Sequence, residues 1–183
     1  MIEKIYSKIV VFYLRLSRAK VEGRLGIRFG IDIPRLKQKL VFGDFVNLDR
    51  NVSLVLTETD DNVVLEYLLK IGNGVYINRN TSIDATVGIE IGDATMIGPN
   101  CYITDHDHSF IGFPPSTPIG ELPLEGEKTL IGKNVWLGAN VIVLKGVTIG
   151  DNTIIGAGSV VTKSIPKNTI AVGSPCKVIK LRE

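Results

Sequence analysis

Residues 131–161 read IGKNVWLGANVIVLKGVTIGDNTIIGAGSVV, and an aliphatic residue stands at every sixth position of this stretch. The series consists of Ile131, Leu137, Val143, Ile149, Ile155 and Val161. A period of six fits neither the 3.6-residue repeat of a helix nor the alternation of one long strand. It is typical of short strands joined by tight turns in a chain that coils back to the same inward direction. The stretch therefore predicts a β-solenoid.

The same period continues toward the N-terminus, with two irregularities. It runs through Phe42, Leu48, Leu54, Leu65, Ile71, Ile77 and Ile83, then slips by two residues and resumes at Ile91, Ile97 and Ile103. The residue four places after an anchor is usually small or β-branched, which suits a pleated inner surface beside a corner. Three six-residue segments close one triangular coil, so the sixteen anchors predict about five coils.

The interruptions of the period divide the chain into three parts. We expect a helical, basic cap at 1–39, an all-β solenoid domain at 40–176 and a short tail at 177–183. Within the solenoid, the period is missing from about 104–130, where the Pro- and Gly-rich sequence TDHDHSFIGFPPSTPIGELPLEGEK must leave the wall as a loop. A long insertion on a rigid scaffold is often functional, because its side chains remain free to face a ligand.

The N-terminal segment combines apolar residues at helical spacing with many cations. The apolar series Ile2, Ile5, Ile9, Phe12, Tyr13 and Leu16 predicts an amphipathic helix that covers the open end of the solenoid. The alternative is attachment to an anionic membrane through Lys4, Lys8, Arg15, Arg18 and Lys20. The apolar run is too short to span a bilayer and lacks a cleavage site, so we expect a cytoplasmic protein, peripheral to the membrane in that alternative.

Composition excludes several classes of protein. The chain has 183 residues with 44% hydrophobic and 22% charged residues, which suits one globular domain. Residues 1–40 contain ten Lys and Arg against three Asp and Glu, but the rest of the chain has no patterned basic face for nucleic acid. Neither GxGxxG nor GxxxxGK[ST] is present. The two cysteines imply no disulfide framework, and we expect Cys101 in the core and Cys176 packed near the C-terminus.

The two histidines of the chain, His106 and His108, lie together in the sequence DHDH where the wall gives way to the loop. A histidine beside carboxylates can be held in one tautomer and act as a general base near neutral pH. The alternative is a polar turn with two exposed imidazoles. Catalytic zinc usually takes three protein ligands, and two histidines would need Asp105 or Asp107 as well, so we expect no metal.

Three stretches resemble a known family. IGKNVWLGANVIVLKGVTIGDNTIIGAGSVVTKSIPKNTIAVGSPCKVIK (131–180), IGNGVYINRN (71–80) and IGDATMIGPNCYITDHDHS (91–109) resemble hexapeptide-repeat acyltransferases. The resemblance is strongest to the galactoside and maltose O-acetyltransferases and the related polysaccharide-biosynthesis O-acetyltransferases. It implies a left-handed parallel β-helix, a homotrimer with active sites between subunits, and transfer of the acetyl group of acetyl-CoA to a saccharide hydroxyl.

The resemblance also assigns roles to individual residues. It implies that His108 is the catalytic general base, with His106 as the alternative candidate for that role. It also implies that Asn78 contacts the acceptor or the reacting carbonyl. Trp136 matches a family residue that lines the active-site groove between subunits, near the coenzyme or the acceptor. Contacts to the pantetheine arm and the phosphates of coenzyme A are implied for Ala139, Ala157, Thr162 and Lys163, with Lys177 or Lys180 as further phosphate partners.

The identity of the acceptor stays open at this point. Residues 1–40 lack the acceptor-binding helical pattern of the simple-sugar enzymes, which favours the polysaccharide and lipopolysaccharide branch with a lipid-linked acceptor. The alternatives are N-acetyl transfer to an amino sugar on the same fold, a non-enzymatic solenoid that binds glycan or ice, and a zinc enzyme similar to carbonic anhydrase.

Overall fold

The computed structural model describes residues 2–34, 36–58 and 65–183. In these residues it contains one helix, α1 (Ile2–Leu16), and two short 3-10 turns at Lys37–Lys39 and Ile119–Glu121. The first strands are β1 (Lys20–Val21), β2 (Leu25–Ile27), β3 (Leu40–Phe42), β4 (Val46–Leu48), β5 (Ser53–Leu56), β6 (Leu69–Ile71), β7 (Tyr76–Ile77), β8 (Ser82–Ala85), β9 (Ile89–Ile91), β10 (Met96–Ile97) and β11 (Tyr102–Thr104). The remaining strands are β12 (His106–His108), β13 (Leu124–Gly126), β14 (Thr129–Ile131), β15 (Trp136–Leu137), β16 (Ile142–Val143), β17 (Thr148–Ile149), β18 (Ile154–Ile155), β19 (Val160–Val161), β20 (Thr169–Val172) and β21 (Lys177–Leu181).

Three β-sheets form the three sides of the solenoid. The first sheet has the order β1-β3-β6-β9-β14-β17, the second β2-β4-β7-β10-β15-β18-β20-β21, and the third β5-β8-β11-β16-β19. Neighbouring strands are parallel except β20 and β21, and the chain passes from the first to the second to the third sheet in each coil. Because each coil lies directly on the next, Ile77, Ile97, Leu137 and Ile155 occupy equivalent positions. The predicted β-solenoid is confirmed.

The six-residue series forms the core of this solenoid. Fifteen of the sixteen anchors are at most 2% exposed, and Leu65 is half-buried against the same core. The small residues four places later are buried too, and the threonine hydroxyls among them donate to a backbone carbonyl of the next coil, as Thr95 Oγ1 does to the Gly132 carbonyl at 2.8 Å. Burial of these aliphatic side chains is the main source of stabilising free energy, because each coil of a solenoid packs on its neighbouring coils.

Asparagine side chains stack along two corners of the coil. Asn80, Asn100 and Asn140 have left-handed backbone angles with φ near +58°, a conformation that Asn tolerates better than other residues with a Cβ. Asn80 Nδ2 donates to Asn100 Oδ1 at 3.1 Å, and on the other corner Asn134 Nδ2 donates to Asn152 Oδ1 at 2.8 Å. The turns are therefore linked from coil to coil by side chains as well as by backbone.

Helix α1 forms as predicted, but it packs with a different face. Its buried side chains are Val10 and Leu14, and Ser7 Oγ accepts a hydrogen bond from Ile27 N at 3.1 Å. The apolar series expected to cover the solenoid is 47–72% exposed, namely Ile2, Ile5, Ile9, Phe12, Tyr13 and Leu16. The prediction that this series packs on the solenoid is wrong, because the helix has a second, smaller apolar face that fits the first coil.

The ends of the solenoid also differ from the expected boundaries. Strand β1 pairs in parallel with β3, and β2 with β4, so a first coil begins at Lys20 and lies inside the expected cap of 1–39. The expected tail contains β21, which pairs antiparallel with β20 and extends the second sheet. No helix in the described parts of the chain is long and apolar enough to cross a membrane.

We predict that Gly92→Ala destabilises the protein by about 1–3 kcal/mol, because overpacking against a backbone that cannot move is costly. A Cβ at Gly92 would lie 2.6 Å from the carbonyl carbon of Gly132 in the next coil. Urea unfolding measures the change. The control is Gly120→Ala in the loop, where no atom lies within 4 Å of the added carbon, and equal stability of the two variants would contradict the prediction.

Candidate active site

The loop leaves the solenoid at one corner and carries both histidines at its base. It departs after β11 of the third sheet and returns at β14 of the first sheet; we call the edge between these two sheets the loop corner. Strand β12 pairs antiparallel with β13, so that His106 is opposite Gly126 and His108 is opposite Leu124. The expected loop at about 104–130 is thus a hairpin at its base, and its pairing fixes where the two imidazoles lie.

Asp105 anchors the base of the hairpin. Its carboxylate is fully buried and accepts hydrogen bonds from the backbone N–H groups of Thr86, Val87 and Gly88 at 2.9, 2.9 and 2.6 Å. Three converging N–H groups form a concavity that favours an anion. Asp105 therefore ties the exit of the loop to the preceding coil, a role that the sequence DHDH does not reveal.

His106 lies between two carboxylates. Its Nδ1 is 3.0 Å from Asp105 Oδ1, its Nε2 is 3.9 Å from Asp84 Oδ1, and its side chain is 12% exposed. Burial raises the pKa of the Asp84 carboxyl, although His106 and Tyr102 act in the opposite direction. Both ring nitrogens of His106 are thus directed at carboxylates of the protein itself.

His108 has a different environment. Its Nδ1 lies 3.0 Å from the backbone carbonyl oxygen of Leu122, and the residue is exposed. A carbonyl can only accept, so this contact places the proton on Nδ1 and leaves the lone pair on Nε2. The 3-10 turn at Ile119–Glu121 precedes Leu122, whose buried side chain fixes the position of that carbonyl. This arrangement suits a general base.

A lysine in the next coil holds the outer side of the hairpin. Lys145 Nζ is 3.4 Å from Asp107 Oδ2 and also 3.4 Å from the Glu125 carbonyl oxygen, so it contacts both strands. On the inner side, Thr129 Oγ1 donates to the Thr104 carbonyl at 2.9 Å and joins the two ends of the loop. The sequence analysis did not identify Lys145, because the contact depends on how the coils stack.

The other predicted site residues lie elsewhere on the solenoid. Asn78 follows β7 at the edge between the second and third sheets, which we call the opposite corner, and its Oδ1 accepts from Arg79 N at 2.8 Å. Ala139 and Ala157 occupy this corner in later coils, as the register of β7, β10, β15 and β18 shows. They are separated from the loop corner by the width of the third sheet.

The remaining predicted site residues lie in three further places on the solenoid. Trp136 lies on the outer face of the second sheet, half-exposed, beside Met96 and Ile154 in a groove of about 290 Å³. Thr162 and Lys163 follow β19 at the loop corner, one coil beyond Lys145. Lys177 and Lys180 are exposed on β21. The structure thus brings His106, His108, Thr162 and Lys163 to one corner, and places Asn78, Ala139 and Ala157 at another.

Neither a cysteine nucleophile nor a bound metal is favoured by the described residues. Cys101 and Cys176 are buried, as expected, and burial raises the pKa of both thiols. In residues 2–34, 36–58 and 65–183, no group of three His, Cys, Asp or Glu side chains is arranged to hold a metal ion.

Comparison with known proteins identifies the fold family. The family model "Bacterial transferase hexapeptide (six repeats)" matches residues 128–163. A maltose O-acetyltransferase from Clostridium difficile 630 superposes with a TM-score of 0.62 at 35% identity, and the match covers 85% of this chain and 71% of that one. The chain belongs to the hexapeptide-repeat acyltransferase family. The predicted left-handed parallel β-helix is therefore confirmed.

Two curated relatives show which members of the hexapeptide-repeat family are similar in sequence. The galactoside O-acetyltransferase of Escherichia coli strain K12 is 43% identical over 117 residues, which cover 61% of this chain and 53% of that protein. The putative lipopolysaccharide biosynthesis O-acetyl transferase WbbJ of the same strain is 39% identical over 113 residues, covering 59% and 58%. The chain thus spans a little over half the length of the curated relatives that it matches.

We predict that Asp105→Asn lowers the free energy of unfolding by about 2–4 kcal/mol, because the amide cannot accept from all three backbone donors that converge on it. The matched control is Asp107→Asn in the same hairpin. The Asp107 carboxylate is half-exposed and 3.4 Å from Lys145 Nζ, so this substitution should cost less than about 1 kcal/mol. Chemical denaturation of both variants measures the difference. Similar losses in the two variants would show that Asp105 does not anchor the loop.

Proposed function

We propose that this protein transfers the acetyl group of acetyl-CoA to a hydroxyl of a saccharide. The observation that carries the proposal is the position of His108, with Nδ1 held by the Leu122 carbonyl and Nε2 available to an incoming hydroxyl. The names of the relatives, a galactoside O-acetyltransferase, a maltose O-acetyltransferase and a lipopolysaccharide O-acetyl transferase, support the same chemistry.

In the proposed reaction His108 is the general base. Its Nε2 takes the proton of the acceptor hydroxyl as that oxygen attacks the thioester carbonyl and forms a tetrahedral intermediate. Collapse of the intermediate breaks the carbon–sulfur bond, and the imidazolium returns its proton to the departing thiolate. The products are the acetyl ester and free coenzyme A. His106 supports the hairpin, and the Asn78 amide donates to the acceptor or to the developing oxyanion.

The coenzyme is proposed to bind along the opposite corner. Ala139 and Ala157 are small, so a pantetheine arm can lie against the backbone there, and Trp136 flanks the same side of the solenoid. The exposed cations Lys177 and Lys180 suit the phosphates. Thr162 and Lys163 lie at the loop corner, so we propose that they reach the phosphates of a coenzyme bound along the opposite corner of a neighbouring subunit.

The separation of the two corners supports a homotrimer. His108 and the small residues Ala139 and Ala157 belong to one reaction, yet they lie at opposite edges of the third sheet. A cyclic assembly that places the loop corner of one subunit beside the opposite corner of the next completes every site. We therefore propose a homotrimer with shared sites.

The acceptor and the location are further parts of the proposal. We propose a surface polysaccharide or lipopolysaccharide precursor as the acceptor, a cytoplasmic location, and a peripheral contact of the basic N-terminal segment with the inner face of the membrane. N-acetyl transfer to an amino sugar is the alternative reaction, and hydroxylamine treatment of the product distinguishes it, because an ester is cleaved and an amide survives.

We predict that His108→Ala lowers kcat by about 10²–10⁴-fold, the usual contribution of a positioned general base. The measurement is thiol release from acetyl-CoA with free sugars, nucleotide sugars and lipid-linked saccharides as acceptors. Coenzyme A binding, measured by calorimetry, should be unchanged. The comparison variant is His106→Ala, which should lower the melting temperature more than His108→Ala and reduce kcat less. The reverse pattern would assign the base to His106.

We predict that two inactive variants restore activity when they are mixed in one trimer. His108→Ala removes the base, and Ala157→Trp blocks the opposite corner without touching the core, since Ala157 is exposed. In a cyclic trimer that contains both variants, about one third of the interfaces combine two intact corners. Co-expression with two different tags, followed by tandem purification and thiol-release assay, measures this recovery. Absence of any recovery in a confirmed mixed trimer would contradict the shared site.

A further inference from the structure

The outer face of α1 is an exposed apolar stripe. The helix lies against β1 and β2 of the first coil, so its other side faces away from the solenoid. That side carries the residues that we call the outer stripe, namely Ile2, Ile5, Ile9, Phe12, Tyr13 and Leu16. At 100° per residue all six fall within an arc of about 100°. Such a contiguous apolar surface usually marks a contact with a partner or a membrane.

Cations lie along one edge of the outer stripe. Lys4, Lys8 and Arg15 fall within a narrow arc of the helix next to Phe12, and Arg18 and Lys20 follow the helix closely in sequence. The acidic residue of α1, Glu3, is on the other side, where its carboxylate lies 3.4 Å from the Arg50 guanidinium. The surface beside the stripe is therefore positive.

We propose that the outer stripe and its cations bind the surface of an anionic lipid membrane, with α1 lying in the plane of the interface. A helix of this kind places its apolar face at the boundary of the acyl chains while its cations meet the headgroups. The charge distribution selects this occupant over a second copy of the chain, because two such helices would bring like cations together. The inference goes beyond the proposed acetyl transfer and specifies the lipid chemistry of the membrane contact.

The orientation has a consequence for the acceptor. Because α1 lies against the first coil, successive coils are stacked beyond it at about 4.8 Å each. In the third sheet, Asp32 pairs with β5, and β8 and β11 follow, so the hairpin after β11 is three coils above the first. The base is then about 14 Å along the solenoid axis from the first coil. If the proposed acetyl transfer holds, this distance favours a lipid-linked acceptor whose acetylated sugar is distant from its lipid.

Sedimentation with sucrose-loaded vesicles tests the proposal on the full chain. We expect binding to vesicles of phosphatidylcholine with 30% phosphatidylglycerol, a composition chosen as roughly that of an anionic membrane, and much weaker binding to pure phosphatidylcholine. The triple variant Ile5→Gln/Ile9→Gln/Phe12→Gln should lose at least about tenfold in binding. Lys4→Gln/Lys8→Gln should lose about 25-fold on anionic vesicles, at about fivefold per cation, and salt should weaken the wild type similarly.

Controls separate this result from misfolding, from general stickiness and from the enzyme activity. The outer stripe is exposed, so the triple variant should keep the wild-type melting temperature. The matched control is Ile179→Gln/Leu181→Gln on β21, which removes exposed apolar side chains from the other end of the solenoid and should bind as the wild type does. Acetyl transfer to a soluble acceptor is assayed separately, so a failure of the proposed enzyme activity leaves the vesicle result interpretable.

Three outcomes would overturn the proposal. The first is equal binding of the wild type to neutral and anionic vesicles, and the second is full binding by the triple variant. The third is a wild type that ignores vesicles while the triple variant changes its oligomeric state in sedimentation equilibrium, which would show that a second copy covers the outer stripe.

Discussion

The backbone hydrogen bonds between coils are the constraint on which the rest of the structure depends. Gly72 N donates to the Ile91 carbonyl and Gly92 N to the Ile131 carbonyl, each at 2.8 Å, so every coil must present the same outline as its neighbour. An inward aliphatic residue at each sixth position maintains that outline. The chain can leave and rejoin this repeated outline at a corner, and the loop that carries the proposed base does so.

The solenoid accommodates the long loop because the coils before and after it pair directly with each other. Strand β9 pairs directly with β14 in register, Ile91 with Ile131, although the loop separates them in sequence. Its departure would leave the turn at residues 86–88 with three unsatisfied N–H groups, and the buried Asp105 carboxylate accepts from all of them. The same carboxylate faces His106, so the feature that closes the solenoid also orients the hairpin that carries His108.

The parts predicted from sequence are those with a local, repeated cause. The period of six specified the anchors and the coil, and the loss of the period located the loop. The packing face of α1 could not be predicted, since both of its faces are apolar and only the shape of the first coil, with Ser7 bonded to Ile27, decides between them. The roles of Asp105 and Lys145 depend on backbone groups and strands that are distant in sequence, and no spacing rule reveals such contacts.

The two histidines show how backbone geometry can give different surroundings to two residues of the same type. Both imidazoles are in one short strand and both have Nδ1 occupied, but the partner of His106 is a buried carboxylate and that of His108 is a carbonyl. The buried carboxylate of Asp105 holds the His106 ring beside the wall, while a neutral carbonyl orients the ring of His108. His106 and His108 are two residues apart and share one face of β12, so their position along the hairpin makes the difference. His106, next to the buried Asp105, reaches the wall and Asp84, whereas His108 lies two residues further out, contacts the Leu122 carbonyl and is exposed.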